Sequence, residues 1–372
     1  MKIGIDISQI SYTGTGVSRF TEGLTRTILK YDLKNTWIFF YSSLRNSLDS
    51  KLNKKILSTN HKLVKYKIPP SLLGFLWNTL HIVPIELFTG NLDLFISSDW
   101  TEPPSKCKKT TIVHDLAFNR YPETIHPTIL TNQRKRLKWV IKESEFIIAD
   151  SLSTKSDLIH YYKYSKEKIK VIYPGVNDML LTNSHPNDTL GKYHLKKSFI
   201  FTVGKIEPRK NLKRLLIAYN KIQKNCLVPD LVIAGQKGWE DESNLSSIYN
   251  TQVHFIGHIS DSELEHLYQS CLFFIYPSLW EGFGYPIIEA MKNMAPVATS
   301  NSSSLSEIAQ NAALLFNPLD TNSISQSIKQ LINSKSLRQD LQKKGTIRAK
   351  EFTWERYYHN LIGVINNSII TI

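Results

Sequence analysis

The fifteen residues YPSLWEGFGYPIIEA, positions 276–290, hold the side chains best suited to chemistry. They place Glu281 and Glu289 eight residues apart around a Gly-Phe-Gly turn. Carboxylates accept hydrogen bonds from hydroxyls, and a diphosphate between two carboxylates can bind the free N–H groups that begin a helix. The spacing predicts that Glu281 binds the hydroxyls of a sugar and Glu289 the ribose diol of a nucleotide. An ordinary solvated position on a helix is the alternative for either acid.

The turn itself is predicted to hold the donor diphosphate. Apolar, β-favouring FFIYPS precedes it and helical IIEAMKN follows, with Pro286 placed to start the helix. Glycine lets the backbone approach a ligand closely. We therefore expect the main chain at Phe283, Gly284 and Tyr285 to contact the donor, at the strand end where open α/β sheets bind their ligands.

A second phosphate-binding element is predicted in the segment FIFTVGKIEPRKN, positions 199–211. Gly204 ends a strand, and Arg209 and Lys210 come directly before the helical run LKRLLIAY. Two cations at a helix amino terminus are unfavourable for the helix dipole, so their presence there calls for an anion. A diphosphate is one such anion, and neutralisation of the cations by Glu207 is the other.

Two weaker signals lie in the amino-terminal half. Gly14 and Gly16 form a glycine loop between the first strand and the first helix, but a third glycine is missing because Arg19 occupies its position. His114 ends the strand TTIVHD, at a carboxyl edge where site residues are favoured. A lone histidine is more often structural, and the residues alone leave its role open.

Strands and helices alternate along the whole chain, which predicts parallel sheets with crossover helices and an α/β fold. The predicted strands are KIGIDIS, WIFFYS, LDLFIS, TTIVHD, FIIADS and KVIYPG, then FIFTVG, LVIAG, VHFIG, CLFFIYPS and APVATS. A polar run at 177–197 interrupts the series and is the expected linker. We predict one domain over 1–180, a second over 195–354, and a last helix over 355–372 that crosses back to the first domain, with the substrates meeting in a cleft.

The composition of the 372 residues is that of a globular protein, with 41% hydrophobic residues and a net charge of +14. An acidic partner is expected, and residues 1–190 carry the larger share of the charge. Three widely spaced cysteines support neither a disulfide framework nor a zinc site. The amino terminus reads as a strand rather than a signal peptide, which predicts a cytoplasmic protein.

The basic amino-terminal half contains no recognisable nucleic-acid-binding motif. The helical run QRKRLKW, positions 133–139, and a group of lysines around a further predicted strand at 51–67 lie near the apolar segment 72–88. Together with Trp77 and Trp139 they predict peripheral contact with an anionic membrane. An ordinary solvated basic surface is an equally good interpretation.

The motifs in family order resemble those of the large retaining glycosyltransferase family called family 4 or group 1. The resemblance rests on WEGFGYPIIEA, on the G-x-x-x-P-R-K-N element from Gly204 to Asn211, and on TIVHDL, and it extends from residue 2 to about residue 355. It implies the GT-B fold, in which two doubly wound Rossmann-like domains face a cleft. The first domain would bind the acceptor and the second the nucleotide-sugar donor.

The resemblance also implies residue roles. Arg209 and Lys210 match the cations that bind the donor diphosphate, and His114 matches the histidine beside the transferred sugar. The Gly14–Gly16 loop would face the donor phosphates. Lys205 departs from the family, in which Arg or Thr often follows the glycine, and whether it reaches a phosphate stays open; Gln310-Asn311, where relatives often have glycine, is a second departure.

The implied reaction is transfer of a hexose, with retention of anomeric configuration, from a nucleotide diphosphate sugar to a saccharide. GDP-mannose is the first expected donor, with UDP- and dTDP-sugars as alternatives, and a lipid-linked or free oligosaccharide of bacterial surface polysaccharide is the expected acceptor. No D-x-D or Cys/His cluster is present, so neither a metal nor a cofactor is expected. A nucleotide-sugar epimerase and a non-catalytic polyanion-binding protein are the alternatives from other classes.

Overall fold

The computed structural model describes residues 1–177, 186–224, 227–240, 245, 247, 248 and 250–369. These residues form two compact units. Unit 1 is drawn from Met1–Pro122, His126–Gly175 and Thr353–Ile372, and unit 2 from Glu123–Ile125 and Val176–Phe352. The predicted linker at 177–197 lies in part outside the described residues; its described part contains the helix Pro186–Lys192.

Unit 1 is built on a parallel sheet with the strand order β3-β2-β1-β4-β5-β6-β7. Its strands are β1 Lys2–Asp6, β2 Thr36–Ser42, β3 Lys62–Tyr66, β4 Leu94–Ser97, β5 Lys108–Val113, β6 Ser144–Ala149 and β7 Ile169–Val171. The central strands are apolar and buried because helices cover both faces of the sheet. The lysine-rich β3 lies at the edge of the sheet, where Lys62 and Lys65 are exposed and the other three side chains are partly buried.

The helices of unit 1 follow the predicted alternation. They are α1 Gly16–Tyr31, α2 Ser50–Leu57, α3 Pro70–Gly74, α4 Glu86–Thr89, α5 Ala117–Arg120, α6 Pro127–Glu143 and α7 Leu152–Tyr162. A π-helix, Phe75–Leu80, continues directly from α3. The chain's last described helix, Trp354–Ile369, packs on α1, where Cβ-less Gly23 leaves room for the Trp354 ring.

Unit 2 has a second parallel sheet with the strand order β10-β9-β8-β11-β12-β13. Its strands are β8 Ile200–Val203, β9 Leu231–Ala234, β10 Val253–Gly257, β11 Phe273–Tyr276, β12 Val297–Ser300 and β13 Leu314–Phe316. The α/β class of two doubly wound sheets is confirmed. The sequence did not predict β13, because three residues within AALLF carry no period that separates a strand from a helix end.

The described helices of unit 2 surround this sheet. They are α8 Pro186–Lys192, α9 Leu212–Gln223, α10 Asp261–Ser270, α11 Tyr285–Lys292, α12 Ser303–Ala309, α13 Thr321–Asn333 and α14 Lys335–Ala349, and the chain's last described helix, in unit 1, is α15 Trp354–Ile369. Helix α11 carries proline in its first turn, as the sequence predicts. Cys107 and Cys271 have free thiols and are only partly buried; Cys226 lies outside the described residues.

Candidate active site

The Glu281 carboxylate lies just beyond the end of β11 and accepts hydrogen bonds from four side chains. Its Oε1 accepts from Lys210 Nζ at 2.6 Å, from the Tyr276 hydroxyl at 2.8 Å and from Ser278 Oγ at 2.6 Å. Its Oε2 accepts from Arg209 Nη1 at 2.8 Å. A carboxylate offers about four acceptor positions, so these partners use most of its capacity. The predicted contact between Glu281 and sugar hydroxyls stays a prediction.

This network fixes the charges of its members. Burial on its own would raise the pKa of Glu281, but the positive charges of Arg209 and Lys210 outweigh it and hold that pKa well below the ordinary value. Burial, together with the charge of Glu281, raises the pKa of the Tyr276 hydroxyl well above its ordinary value. Glu281 is therefore an anion and Tyr276 a neutral donor at all pH values at which the protein would be assayed.

The two cations lie before helix α9 rather than in its first turn. They end a 3₁₀ turn, Pro208–Lys210, and Asn211 follows in the left-handed conformation with φ of 59°. Arg209 also donates to Glu207 Oε1 at 2.9 Å and to the carbonyl of Trp280 at 2.6 Å. The negative charge that these two cations were expected to need is supplied within the protein by Glu281 and Glu207. Neutralisation by Glu207 was the alternative that the sequence left open.

Three serines at the start of helix α12 hold the loop that carries Glu281. Ser302 Oγ donates to the carbonyl of Leu279 at 3.0 Å, and Ser304 Oγ donates to the carbonyl of Glu281 at 2.9 Å. Ser303 Oγ accepts from the Glu281 N–H at 3.1 Å. The loop is held by side-chain hydrogen bonds on both its N–H and C=O groups, which fixes the direction of the Glu281 side chain.

The predicted donor-contacting turn leads directly into helix α11. Gly284 is the N-cap residue and has φ of 96°, and a Cβ built on it would lie 2.6 Å from Leu305 Cδ2. Phe283 is buried, and its ring meets Tyr285 edge-on at 5.1 Å. Glu289, the fifth residue of α11, is buried, and the Tyr268 hydroxyl lies 3.4 Å from its Oε2. Its contact with a ribose stays a prediction.

Lys205 is exposed at the end of β8 and does not join the Glu281 network. Its Nζ lies 4.8 Å from the centre of the Trp239 ring, a cation–π contact. Its ammonium group thus contacts an aromatic face rather than a carboxylate, and its contact with a donor phosphate stays a prediction.

In unit 1 the four neighbouring strands β1, β4, β5 and β6 each end in the pattern Ile-x-x-Asp, which places four carboxylates along one edge of the sheet. We call this the histidine edge, since His114 lies among them; its acids are Asp6, Asp99, Asp115 and Asp150. Asp6 and Asp150 are buried, whereas Asp99 and Asp115 are partly exposed. Burial raises the pKa values of Asp6, Asp99 and Asp150.

His114 is paired with Asp150 at this edge. Its Nδ1 lies 2.6 Å from Asp150 Oδ2, and Phe20 meets its ring edge-on at 4.6 Å. Burial on its own would lower the pKa of His114, but the charges of Asp150, Asp99 and Asp115 and the hydrogen bond to Asp150 raise it to about 9. The imidazole is therefore protonated at neutral pH, and Nδ1–H donates to Asp150.

The glycine loop stands at the start of helix α1. Gly14 has φ of 81°, Gly16 has nothing within 4 Å of the place where a Cβ would stand, and both are exposed. Thr15 caps the helix by accepting a hydrogen bond from the Ser18 N–H at 3.2 Å. The loop thus leaves open space beside the first turn of the helix, and its contact with donor phosphates stays a prediction.

Comparison with known proteins identifies the domain that carries the Glu281 network. Residues 191–348 match the family model described as glycosyl transferases group 1, which includes Arg209, Lys210, Glu281 and Glu289. The chain therefore contains a glycosyl transferases group 1 domain. The O-antigen chain mannosyltransferase B of Escherichia coli is 27% identical to it, over 95% of this chain and 97% of that protein.

Solved structures agree with this glycosyltransferase in fold. The sucrose-phosphate synthase of Thermosynechococcus elongatus superposes with a TM-score of 0.76 at 17% identity, over 100% of both chains. Anabaena HepE, solved with UDP and glucose, superposes with a TM-score of 0.70 at 16% identity, over 99% of this chain and 100% of that one. The GT-B fold predicted from the sequence is confirmed.

Several residues of the two regions were missed by the sequence reasoning. Tyr276 and Ser278 lie inside the signature stretch, and their position at a strand end was the available signal. The available signal for Asp99 and Asp150 was the Ile-x-x-Asp pattern, which ends their strands and also occurs around His114 at the end of β5. Among the described residues no three His, Cys, Asp or Glu side chains are grouped as metal ligands would be, and metal independence stays a prediction.

Proposed function

We propose that this glycosyltransferase moves mannose from GDP-mannose to a lipid-linked or free oligosaccharide during assembly of a bacterial surface polysaccharide. The similarity to O-antigen chain mannosyltransferase B, which runs through nearly the whole of both proteins, supports mannose as the transferred sugar and surface polysaccharide as the setting. Transfer retains the anomeric configuration and needs no metal ion in this proposal. The proposed place of action is the inner face of the cell membrane.

The observation that carries the proposal is the Glu281 network at the start of helix α11. A buried carboxylate holds Lys210 and Arg209 in fixed positions, 2.6 and 2.8 Å from its oxygens. The loop that holds this carboxylate leads into the first turn of α11, whose N–H groups favour phosphate. Fixed cations and N–H groups of this kind stabilise charge as a diphosphate departs, without the reorganisation that mobile groups would need.

The proposed chemistry is a displacement on one face of the sugar. The bond between the anomeric carbon and the diphosphate oxygen breaks while an acceptor hydroxyl oxygen bonds to the same face of that carbon. The acceptor proton passes to the departing phosphate oxygen, so atoms and charge balance. Lys210 and Arg209 take up the negative charge that forms on the diphosphate, and His114 orients the sugar.

Thermal-shift measurement with GDP-mannose, UDP-glucose and dTDP-rhamnose tests the donor. A ligand that binds only the folded protein stabilises it by about 2.7 kcal/mol when present at a hundred times its Kd. We expect GDP-mannose to raise the melting temperature by several degrees and the other two to raise it less. A larger shift with UDP-glucose would make UDP-glucose, rather than GDP-mannose, the proposed donor. No shift with any of the three nucleotide sugars would contradict the proposed function.

Product analysis tests the reaction. Incubation with GDP-mannose and a mannose disaccharide on an octyl chain should give a longer saccharide with an α-linkage, read from the anomeric NMR signals, and activity should survive EDTA. A β-linked product would contradict retention, and loss of activity in EDTA would contradict metal independence. Conversion of the donor with no acceptor present would instead favour an epimerase.

A further inference from the structure

Unit 1 displays a group of exposed apolar side chains on one short segment, from α3 through the π-helix to α4. Between 46% and 72% of each of these side chains is exposed, a degree typical of charged residues rather than of leucine or phenylalanine. They are Leu72, Phe75, Leu80, Ile82 and Leu87. We call this set, together with the lysines described below, the docking surface.

The docking surface is displayed on a fixed base. Trp77 is fully buried, its ring packs on Phe40 and Phe88, and its Nε1 donates to the carbonyl of Val83 at 2.9 Å. Trp77, which the sequence analysis grouped with the basic residues as support for membrane contact, is therefore not itself exposed. The ring belongs to the core beneath that surface and holds the segment in place.

Helix α6 brings three lysines to the same segment. Lys135 Nζ lies 3.2 Å from Thr79 Oγ1, within the π-helix. Lys138 and Lys142 each lie 5.3 Å from the centre of the Trp139 ring, which is stacked on His81 at 3.7 Å. All three lysines are exposed, so cations and apolar side chains share one stretch of surface.

The acid that follows Lys142 in the chain is paired with other groups. Glu143 at the end of α6 lies 2.6 Å from the buried Lys109 Nζ and 2.8 Å from His81 Nε2, so its charge is taken up beneath the surface. Those partners hold the pKa of Glu143 below its ordinary value, although burial alone would raise it. The lysines of the docking surface therefore keep their charges for an external partner.

We propose that the docking surface binds unit 1 to an anionic lipid bilayer. Leucine, isoleucine and phenylalanine side chains enter the boundary between headgroups and acyl chains, while lysines beside them pair with lipid phosphates. Nucleic acid would match the lysines but not five exposed aliphatic and phenyl groups. The inference rests on the proposed function, in which a lipid-linked acceptor is presented at a bilayer. Vesicle binding is measured without donor or acceptor, so this inference and the proposed function can fail independently of each other.

Co-sedimentation with phosphatidylcholine vesicles, with and without phosphatidylglycerol, tests the proposal. The wild type should bind the anionic vesicles and bind less as salt is added, because salt screens the lysines. Each lysine near an anionic surface strengthens binding roughly fivefold, so K135Q/K138Q/K142Q should bind about a hundredfold more weakly. The matched control K329Q/K335Q/K343Q removes three exposed lysines of unit 2 and should leave vesicle binding unchanged.

An apolar pair tests the other half of the surface. Phe75→Ser with Leu87→Ser should lower the vesicle binding that persists at high salt, whereas Leu33→Ser with Ile347→Ser, which alters side chains exposed to 84% and 67% elsewhere, should not. Circular dichroism spectra that match the wild type show that the variants are folded, whether or not nucleotide sugars bind.

Three results would overturn the proposal. They are equal binding to both kinds of vesicle, equal losses in the controls, and a change of oligomeric state in the surface variants without any change in vesicle binding. The last would make the docking surface a protein interface. Vesicle binding by a protein that shows no thermal shift with any nucleotide sugar would overturn the proposed function and leave this inference standing.

Discussion

The histidine edge of unit 1 and the Glu281 network of unit 2 use the same fold position with opposite charges. At the histidine edge His114 lies among four carboxylates, of which Asp99 also pairs with the buried Arg136 at 3.4 Å, and the pKa of the histidine rises to about 9. In unit 2 the buried carboxylate of Glu281 lies between two cations, of which Arg209 also pairs with Glu207, and the pKa of Glu281 falls. Both clusters stand where parallel strands end, a position the α/β fold makes available in each sheet.

This difference separates the ligands that the two regions suit. Partly exposed carboxylates such as Asp99 and Asp115 accept hydrogen bonds from hydroxyls and repel phosphate. The Glu281 network instead contains the cations Arg209 and Lys210, and Lys205, exposed at the end of β8, is a further cation of unit 2. We propose from this difference that saccharide hydroxyls bind at the histidine edge and the diphosphate in unit 2, and each of the following predictions tests one of these two regions.

The largest effect is expected from Lys210→Ala. The variant removes a fixed cation that would stabilise the departing diphosphate, and loss of one such group lowers kcat by about 10² to 10³. Glu281 keeps its bond to Arg209, so the fold should survive. Initial rates of mannosyl transfer measure the effect, with circular dichroism as the check on folding.

Lys213→Ala is the matched control for this prediction. Lys213 is an exposed lysine in the first turn of α9, three residues along the chain. Its replacement changes the net charge equally and should leave the rate unchanged. Equal rates in the Lys210 variant and the control would show that the Lys210 cation does not contribute to the reaction.

The next effect concerns the pKa of His114. The folded-state value of about 9 lies above the ordinary value of 6.5, so its protonation stabilises the fold fully below pH 6.5. That stabilisation, about 3 kcal/mol at most, is lost as the pH rises through 9. Asp150→Asn keeps the shape of the side chain but removes the largest charge that favours protonation. Histidine NMR titration should show the pKa of His114 falling towards its ordinary value.

His61 provides an internal control in the same unit. Burial lowers its pKa below 6.5 although Asp32 acts in the other direction. Its titration should be the same in the wild type and in Asp150→Asn. A wild-type His114 that titrates at or below 6.5 would show that the carboxylates of the histidine edge do not govern its charge.

The sequence predicted the positions of these clusters better than their pairings. Alternating strands and helices place residues such as His114 and Glu281 at strand ends, because the carboxyl ends of parallel strands share one edge. Which cation meets which acid depends on loop geometry and rotamers that no spacing encodes. The bonds from Lys210 and Arg209 to Glu281, across seventy residues of chain, were therefore not foreseen.

The segment around Trp77 shows a second limit. A helical pattern of 3.6 residues per turn would place neighbouring residues on different faces, but the chain turns into a π-helix from Phe75 to Leu80. Its wider turn buries both Trp77 and Asn78, while Asn78 Nδ2 donates to the carbonyl of Trp100 and to Asn132 Oδ1 at 2.9 Å. Sequence periodicity could not have predicted which aromatic side chains reach the surface.

Substitution of one glycine in each unit allows the two turns to be compared. Gly284→Ala should destabilise unit 2 by about 1 to 3 kcal/mol, because φ is 96° and the new Cβ would meet Leu305 Cδ2 at 2.6 Å. Gly16→Ala in unit 1 should change stability by less than about 0.5 kcal/mol, since its Cβ would enter open space. Thermal unfolding distinguishes them, and equal losses would contradict the reading of these turns. If Gly16 admits the donor phosphates, its variant should instead raise the donor KM.

The smallest effect is expected from the removal of either of two buried tyrosine hydroxyls. The Tyr276 hydroxyl donates to Glu281 and accepts from Lys210, both at 2.8 Å, so Tyr276→Phe should cost about 1 to 3 kcal/mol at most and lower the transfer rate. The Tyr357 hydroxyl at unit 1 has no hydrogen-bond partner among the described residues.

Removing that unpaired hydroxyl relieves a buried polar group instead of breaking a bond. Tyr357→Phe should therefore be neutral or slightly stabilising, by up to about 1 kcal/mol, with an unchanged transfer rate. Urea unfolding of the two variants measures the contrast. A loss in Tyr357→Phe as large as that in Tyr276→Phe would mean that the hydroxyl in unit 1 is hydrogen-bonded in solution, and the charge pattern of the histidine edge would have to include it.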